Sequence, residues 1–403
     1  MRLLVIGSGG REHALVWKLA QSPGVTLYAS PGNPGMARHA TCLPLAEAKA
    51  LKPDLTVVGP EVPLVEGIVD EFRAAGLPIV GPTAAAARLE GSKVFAKNFF
   101  VQHGIPTAQF VTAGSPADAV RALDRFGFPV VLKADGLAAG KGVVIAHDRA
   151  EAEAALPGLE GPIVVEEFLS GEEVSFIALC DGRDVVPLAP TQDHKAVFDG
   201  DRGPNTGGMG AYCDSRILTE AETRGVLDRV ILPTVEATHF TGFLYAGLMM
   251  TAAGPRVLEF NVRLGDPETQ PLMHRLAGDF VPALAAAAAG RLAGRRLEWR
   301  PEPSVCVVLC SGGYPGAYQS GKKILGIEEA EAAGATVFQA GTRRSAEGLE
   351  TAGGRVLGVT ARGETLPAAI ENAYAAAAKV CFEAMHYRRD IGRKGLKRYS
   401  TLQ

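Results

Sequence analysis

Residues 131–146 read VLKADGLAAGKGVVIA. Two runs of β-forming apolar residues flank a loop that carries Gly136, Gly140, Lys141 and Gly142. Such a loop invites a phosphate, yet it does not match the P-loop pattern G-x-x-x-x-G-K-[ST]. Three residues separate Gly136 from Gly140, and Gly142 stands where the pattern needs a hydroxyl. This loop also joins strand to strand instead of opening a helix. Its glycines let the backbone fold down on a phosphate chain, with Lys133 fixed on the first strand and Lys141 arriving as the hairpin shuts.

The surrounding sequence makes the hairpin part of a small module. A helix, GSKVFAKNFFVQHG, comes before it, and Ser115-Pro116 is a good helix start. After it, the helix RAEAEAAL and the strand PIVVEEFL close a compact αβ unit over about 110–174, small for a free-standing domain and so expected to be a lid. The first ninety residues alternate strand and helix, as expected of an open parallel sheet with crossover helices. Its strands RLLVI, VTLYAS, LTVVG and PIVG end at Gly7-Ser8-Gly9-Gly10, Pro31-Gly32-Asn33, Gly59-Pro60-Glu61 and Gly81-Pro82-Thr83. These four loops are expected to share one crevice at the carboxyl ends of the strands. A dinucleotide site does not fit there, because Glu12 stands where the third fingerprint glycine belongs and strand two ends without an acid. Beyond about residue 291 the chain turns basic and loop-rich, which predicts a linker into a last αβ module. The closing stretch HYRRDIGRKGLKRY reads as a solvated terminal segment.

With 403 residues, the chain is long enough for two or three domains with real cores. A formal charge of −3 gives no field with which to hold a nucleic acid backbone. The six cysteines form no C-x-x-C pair and read as reduced core thiols of a cytoplasmic protein. The apolar run at the N-terminus is too short for a signal peptide or a membrane span.

The groups that suggest chemistry lie on three stretches. Lys93, Lys133 and Lys141 surround the glycine loop, and EEFLSGEE sets carboxylates beside Phe168-Leu169, whose backbone could meet a purine edge. In VLEFNVRLGDPETQP, Glu259, Asn261 and Arg263 are two apart and so share one strand face. A carboxylate, a carboxamide and a guanidinium on a buried face need a charged occupant, and Mg²⁺ completing its shell with phosphates fits.

GSGGREHAL, GPTAAAARLEGSK, KADGLAAGKGV, EEFLSGEEVSF, QDHKAVFDGDRGPNTGGMGAY, TGFLYAGLMM and EFNVRLGDPETQP occur in this order and cover nearly the whole chain. Together they resemble the phosphoribosylamine–glycine ligases, or glycinamide ribonucleotide synthetases, of the ATP-grasp superfamily. The resemblance implies an N-terminal α/β domain (1–91), an ATP-grasp domain with its lid (92–290) and a C-terminal αβ domain (291–403). It implies that ATP, glycine and 5-phosphoribosylamine give glycinamide ribonucleotide, ADP and phosphate through a glycyl phosphate, with Mg²⁺ or Mn²⁺, in a cytoplasmic monomer.

Carried over by motif, Lys93, Lys133, Gly140, Lys141 and Gly142 meet the ATP phosphates, Glu166, Phe168 and Leu169 the adenine, and Glu173 the ribose. Glu259 and Asn261 become metal ligands and Arg263 a phosphoryl contact. Asp193, His194, Lys195 and Asp266 become catalytic-site residues, the two aspartates as partners for the glycine ammonium. Gly9, Gly10, Arg11, Gly32, Asn33, Gly59, Pro60 and Glu61 hold the ribosylamine, with Asn205, Gly207, Gly208, Met209 and Gly210 adjoining. The segment between strands two and three, the lid and VEATHFTGF are shorter than the family pattern. The alternatives are another ATP-grasp ligase or carboxylase, a NAD-linked oxidoreductase and a nucleotide sensor. QDHK followed by PNTGGMGAY argues against the first.

Overall fold

A computed structural model describes residues 1–137 and 142–400. Gly140 and Lys141 lie outside the described residues. The N-terminal region forms a five-stranded parallel sheet from β1 (Arg2–Gly7), β2 (Thr26–Pro31), β3 (Thr41–Cys42), β4 (Leu55–Val58) and β5 (Ile79–Val80). Its order, β3-β2-β1-β4-β5, reverses between β1 and β4, and the crevice opens at that switch point.

Three of the four strand-end loops converge as expected. The fourth does not, because β5 is an edge strand whose C-terminal loop packs on the next part of the chain: Thr241 Oγ1 donates to the Gly81 carbonyl at 2.6 Å. The helix Gly10–Leu19 is buried on nearly all sides, which accounts for a buried lysine, as Lys18 Nζ donates to the Leu276 carbonyl at 2.7 Å.

The lid is a four-stranded antiparallel sheet of β6 (Phe110–Ala113), β7 (Val130–Ala134), β8 (Val143–Ala146) and β9 (Ile163–Glu167), in the order β6-β9-β7-β8. The two strands β7 and β8 pair antiparallel as the sequence predicts, with Val130 opposite Ala146 and Lys133 opposite Val143. Leu123, Leu132, Ile163 and Val165 give the lid a hydrophobic cluster of its own.

Next come β10 (Glu172–Asp181), β11 (Val185–Pro187), β12 (Thr191–Asp193), the ribbon β13 (Ala196–Phe198) and β14 (Arg202–Asn205), β15 (Gly210–Cys213), β16 (Thr241–Thr251) and β17 (Gly254–Asn261). The last third adds β18 (Ser304–Cys310), β19 (Thr336–Gln339), a second ribbon of β20 (Thr342–Ser345) and β21 (Gly348–Thr351), and β22 (Arg355–Arg362).

The expected last module does not stand apart: its strands extend the central sheet, β17-β16-β10-β12-β15-β18-β22-β19, through β15 pairing with β18. Strand β18, SVCVVLC, is buried at every position, as its composition predicts. The closing stretch is not a solvated tail. Arg388 is fully buried, and residues 393–400 form helical turns packed on the same body.

Candidate active site

A cavity of 450 Å³ lies between lid, central sheet and N-terminal domain. Its floor is β17 and the turn after it. Period-two alternation puts Glu259 and Asn261 on one face, Arg263 continues the row, and all three line the cavity. Opposite Glu259 on β16 is Gly247, where any side chain would crowd the Glu259 stem.

The roof carries Lys133, Leu137 and Gly142, and Phe168 and Leu169 border the cavity after β9. The Glu166 carboxylate is already engaged, paired with both Lys133 and Lys97. Burial would raise its pKa, but the two ammoniums outweigh burial and hold it below the usual carboxylate range. Burial also lowers the Lys97 ammonium to about 8, against the pull of Glu166. Lys133 donates to the Leu258 carbonyl at 2.9 Å and Lys93 to that of Gly136 at 2.7 Å. Both lysines are thus tethered to backbone carbonyls at the cavity wall.

Behind the floor, Asp193, Lys195, Asn205 and Gly207 line the cavity. Lys195 pairs with Glu173 and lies 3.7 Å from Glu259. Asp193 has no ion-pair partner among the described residues. Burial, and then the Glu268, Glu173 and Glu259 carboxylates, push its pKa up to about 8 against the pull of Lys195. A pocket with this excess of carboxylate suits a cation. Glu259 itself stays below the normal range, because Lys195, Lys133 and Lys93 together outweigh burial. Its oxygens and the Asn261 carboxamide offer hard donors that would fit Mg²⁺. No cluster of three or more His, Cys, Asp or Glu ligands occurs among the described residues. A pair of protein ligands is what Mg²⁺ needs when phosphates supply the rest.

Arg263 does not neutralise Glu259. Its partners are Glu90 at 2.8 Å and Glu61 at 3.3 Å, and Glu90 also accepts the Val262 N–H at 2.7 Å. Asp266 sits where the cavity meets the N-terminal crevice and is paired with Arg355 at 3.3 Å. Arg355 also donates to the carbonyls of Gly207 at 2.7 Å and Asp266 at 2.6 Å. Gly9, Arg11 and Pro60 line the crevice, while Arg11, Pro60 and Glu61 reach the cavity as well.

Several expected residues line neither space. His194 is fully buried behind the floor, with both ring nitrogens lacking hydrogen-bond partners, because alternation turns it away from Asp193 and Lys195. Met209 is buried against Cys310, and Gly208 and Gly210 abut Pro267 and Cys306. Asn33 is spent on its own turn: its oxygen accepts the N–H groups of Gly35 and Met36, and its amide bonds the carbonyls of Ser8 and Gln339. Gly32 packs on Cys42 and Gly10 on Gln270. Gly59, like Gly7, leaves room for Glu12, whose carboxylate accepts the Gly9 N–H at 2.6 Å and caps the first helix.

Sequence reasoning missed Lys97, Glu90 and Arg355, which hold Glu166, Arg263 and Asp266 at the cavity. Lys97 alone had a local signal, one helical turn beyond Lys93. The others act across long separations.

A small antiparallel sheet over a larger one that presents lysines, a Glu-x-Asn pair and an arginine to one cavity is the arrangement of an ATP-grasp ligase. Family models for phosphoribosylglycinamide synthetase match residues 1–90 (N domain), 91–269 (ATP-grasp domain) and 304–394 (C domain). The chain is 49% identical to the phosphoribosylamine–glycine ligase of Pseudomonas aeruginosa and 48% identical to that of Escherichia coli K12, covering 99% of each chain in both cases. The crystal structure of the phosphoribosylamine–glycine ligase from Thermotoga maritima superposes with a TM-score of 0.85 at 38% identity, over 97% of this chain and 100% of that one. The chain belongs to the phosphoribosylamine–glycine ligase family, the ATP-dependent ligases that join glycine to phosphoribosylamine in purine biosynthesis.

Proposed function

We propose that the ligation runs through a glycyl phosphate inside this one cavity. Lys93 and Lys133 hold the ATP phosphates and the loop 136–142 closes over them, with the purine against the backbone of Glu167–Leu169 and the ribose near Glu173. Glu259 and Asn261 hold Mg²⁺ or Mn²⁺. When bound, the ion supplies charge neutralisation on the phosphates. Asp193 holds the glycine ammonium, since Asp266 is already paired with Arg355.

The glycine carboxylate oxygen attacks the γ-phosphorus, and ADP leaves. Arg263 stabilises the transferring group with a planar fork that an ammonium cannot copy. The ribosylamine nitrogen then attacks the acyl carbon, loses a proton and expels phosphate. Its own phosphate sits in the N-terminal crevice beside Gly9, with its ribose toward Glu61. Asp266, on the border of both spaces, lies where amine and acyl carbon would meet.

The observation that carries this reading is the row Glu259, Asn261 and Arg263 facing Lys133 across one cavity. Six free cysteines fit a reducing compartment, and no helix among the described residues is long and apolar enough to cross a membrane. We place the enzyme in the cytoplasm as a monomer. A phosphate-release assay across amino acids, with and without ribosylamine, tests the proposal: release should need both glycine and the amine. Trapping with hydroxylamine should give glycine hydroxamate when the amine is left out. Phosphate release with no trapped acyl group would refute the intermediate.

A further inference from the structure

The ribbon β13–β14 carries Lys195 at its entry and Asn205–Gly207 at its exit, and all of these residues line the cavity. A two-stranded ribbon is marginal by itself. This one stands off the main sheet, its register shifts between Ala196 and Phe198, and its turn is largely exposed. Something else must fix its position.

That element is the end of the chain. Arg388 is fully buried and donates to the Ala196 carbonyl and the Asp201 carboxylate, both at 3.0 Å, while a fork of two 2.7 Å bonds locks it to Asp390. Asp390 accepts the Gly200 N–H at 2.9 Å, Asp199 accepts the Arg389 N–H at 2.7 Å, and Lys394 pairs with Asp201 at 2.7 Å. The imidazole of His386 bonds the Val197 carbonyl at 3.0 Å. A second anchor lies on the nucleotide side. Lys397 and Arg398 grip Glu172, next to Glu173, and Gln192 bridges Glu172 to the Glu173 carbonyl.

We infer that the segment 386–399 is a positioning element for the ligation, with Arg388 at its centre. It sets the ribbon β13–β14, and through it Lys195 and Asn205–Gly207, in reacting position before substrates arrive. The inference rests on the proposed reading in which those residues face the substrates. Arg388 touches no substrate. It acts through four oxygens of the ribbon and of Asp390, which a planar five-donor fork can serve together and an ammonium cannot.

Steady-state kinetics of Arg388→Met, Arg388→Lys, Lys195→Met and the double variant Asp201→Asn/Lys394→Met test it. Active molecules are counted by nucleotide titration, and melting is followed in parallel. Arg388→Met should lower kcat per folded molecule by about tenfold or more, as small misplacements near a reacting centre do, with KM for ATP within about threefold. Arg388→Lys should recover melting temperature but not kcat. Should Arg388→Met fail to fold, the double variant, whose altered side chains are half-exposed, should show the same kcat-selective loss at about threefold. Unchanged kcat per folded molecule in every foldable clamp variant, with Lys195→Met impaired, overturns the clamp alone. Full activity in Lys195→Met overturns the site reading, and the clamp with it.

Discussion

The two walls of the cavity are built on different plans. The lid wall has its own hydrophobic cluster and meets the body through separate polar ties, among them the Lys97–Glu166 pair and the Lys133 bond to the Leu258 carbonyl. Asp135 accepts from Ser92 Oγ at 3.0 Å and from the Val94 N–H at 3.2 Å, and Thr107, just before the lid, donates to the Val257 carbonyl at 2.6 Å. The floor is different: β17, at one edge, and β12 are strands of a nine-stranded sheet, and the arginine and lysine beside them are held by carboxylates. Arg263 is fixed by Glu61 and Glu90, and Lys195 by Glu173. A unit with its own core can swing as one body, while strands paired into a large sheet move only with that sheet. On the proposed reading, nucleotide enclosure is entrusted to the movable wall and transition-state charge to the rigid one. Substitutions in the floor should then lower kcat, and substitutions in the lid ties should raise KM for ATP.

The sharpest break of this contrast is Glu259→Gln, which keeps shape and removes the charge. Phosphate release should fall at least about a hundredfold, with the melting curve within a few degrees of the parent. A variant that keeps its rate at low magnesium would remove Glu259 from the metal site. Arg263→Lys comes next. The ammonium can keep one of the Glu61 and Glu90 contacts but not the fork, so kcat should drop about tenfold to a hundredfold while KM for ATP holds. A rise in KM alone would mean that Arg263 binds ground state and transition state equally well.

On the other wall, Asp135→Ala cuts the tie between the lid hairpin and the helix start at Ser92–Val94. KM for ATP should rise about three- to tenfold, the worth of one or two hydrogen bonds to a carboxylate, with kcat at saturating ATP little altered. A loss confined to kcat would erase the distinction between the walls.

How much of this could be read in the sequence follows the same division. Glu259, Asn261 and Arg263 were legible because a strand has period two, and Lys133 and its loop because glycine and lysine flanked by β-formers have few readings. His194 was misplaced through a motif match, although the period-two rule applied to Asp193-His194-Lys195 turns it inward. Arg355 reaching Asp266, Glu90 gripping Arg263 and Arg388 clamping the ribbon were not legible. Each is a pairing across scores of residues, and no local pattern encodes its partner. The basic tail misled for the same reason, since its charges look solvated until the acids that meet them are in place.

The smallest effect concerns protons held by neither wall. His13, His194 and His274 are buried, and burial first, then nearby cationic groups, lower each from 6.5 to about 3. His13 must be neutral, because its Nδ1 accepts the Gln339 N–H at 2.7 Å and so joins the N-terminal helix to β19. Below pH 6.5 the unfolded chain takes up protons that the fold refuses until about pH 3. Stability is therefore full above that range and declines as pH falls through it, by up to about 1.4 kcal/mol per pH unit for each histidine. Asp193 opposes one of them: its raised pKa makes the fold hold a proton that the unfolded chain releases, so its contribution grows as pH falls from about 8. The raised Glu90 carboxyl opposes the histidines in the same way and the lowered His39 adds to them, so the sign set by the histidines holds between pH 6.5 and 5, where the unshifted carboxylates still carry their charge. Urea midpoints taken across that interval should fall, and His13→Gln should flatten the fall while lowering stability at pH 7.5. Parallel curves for parent and variant would show that the His13 proton is not excluded by the fold.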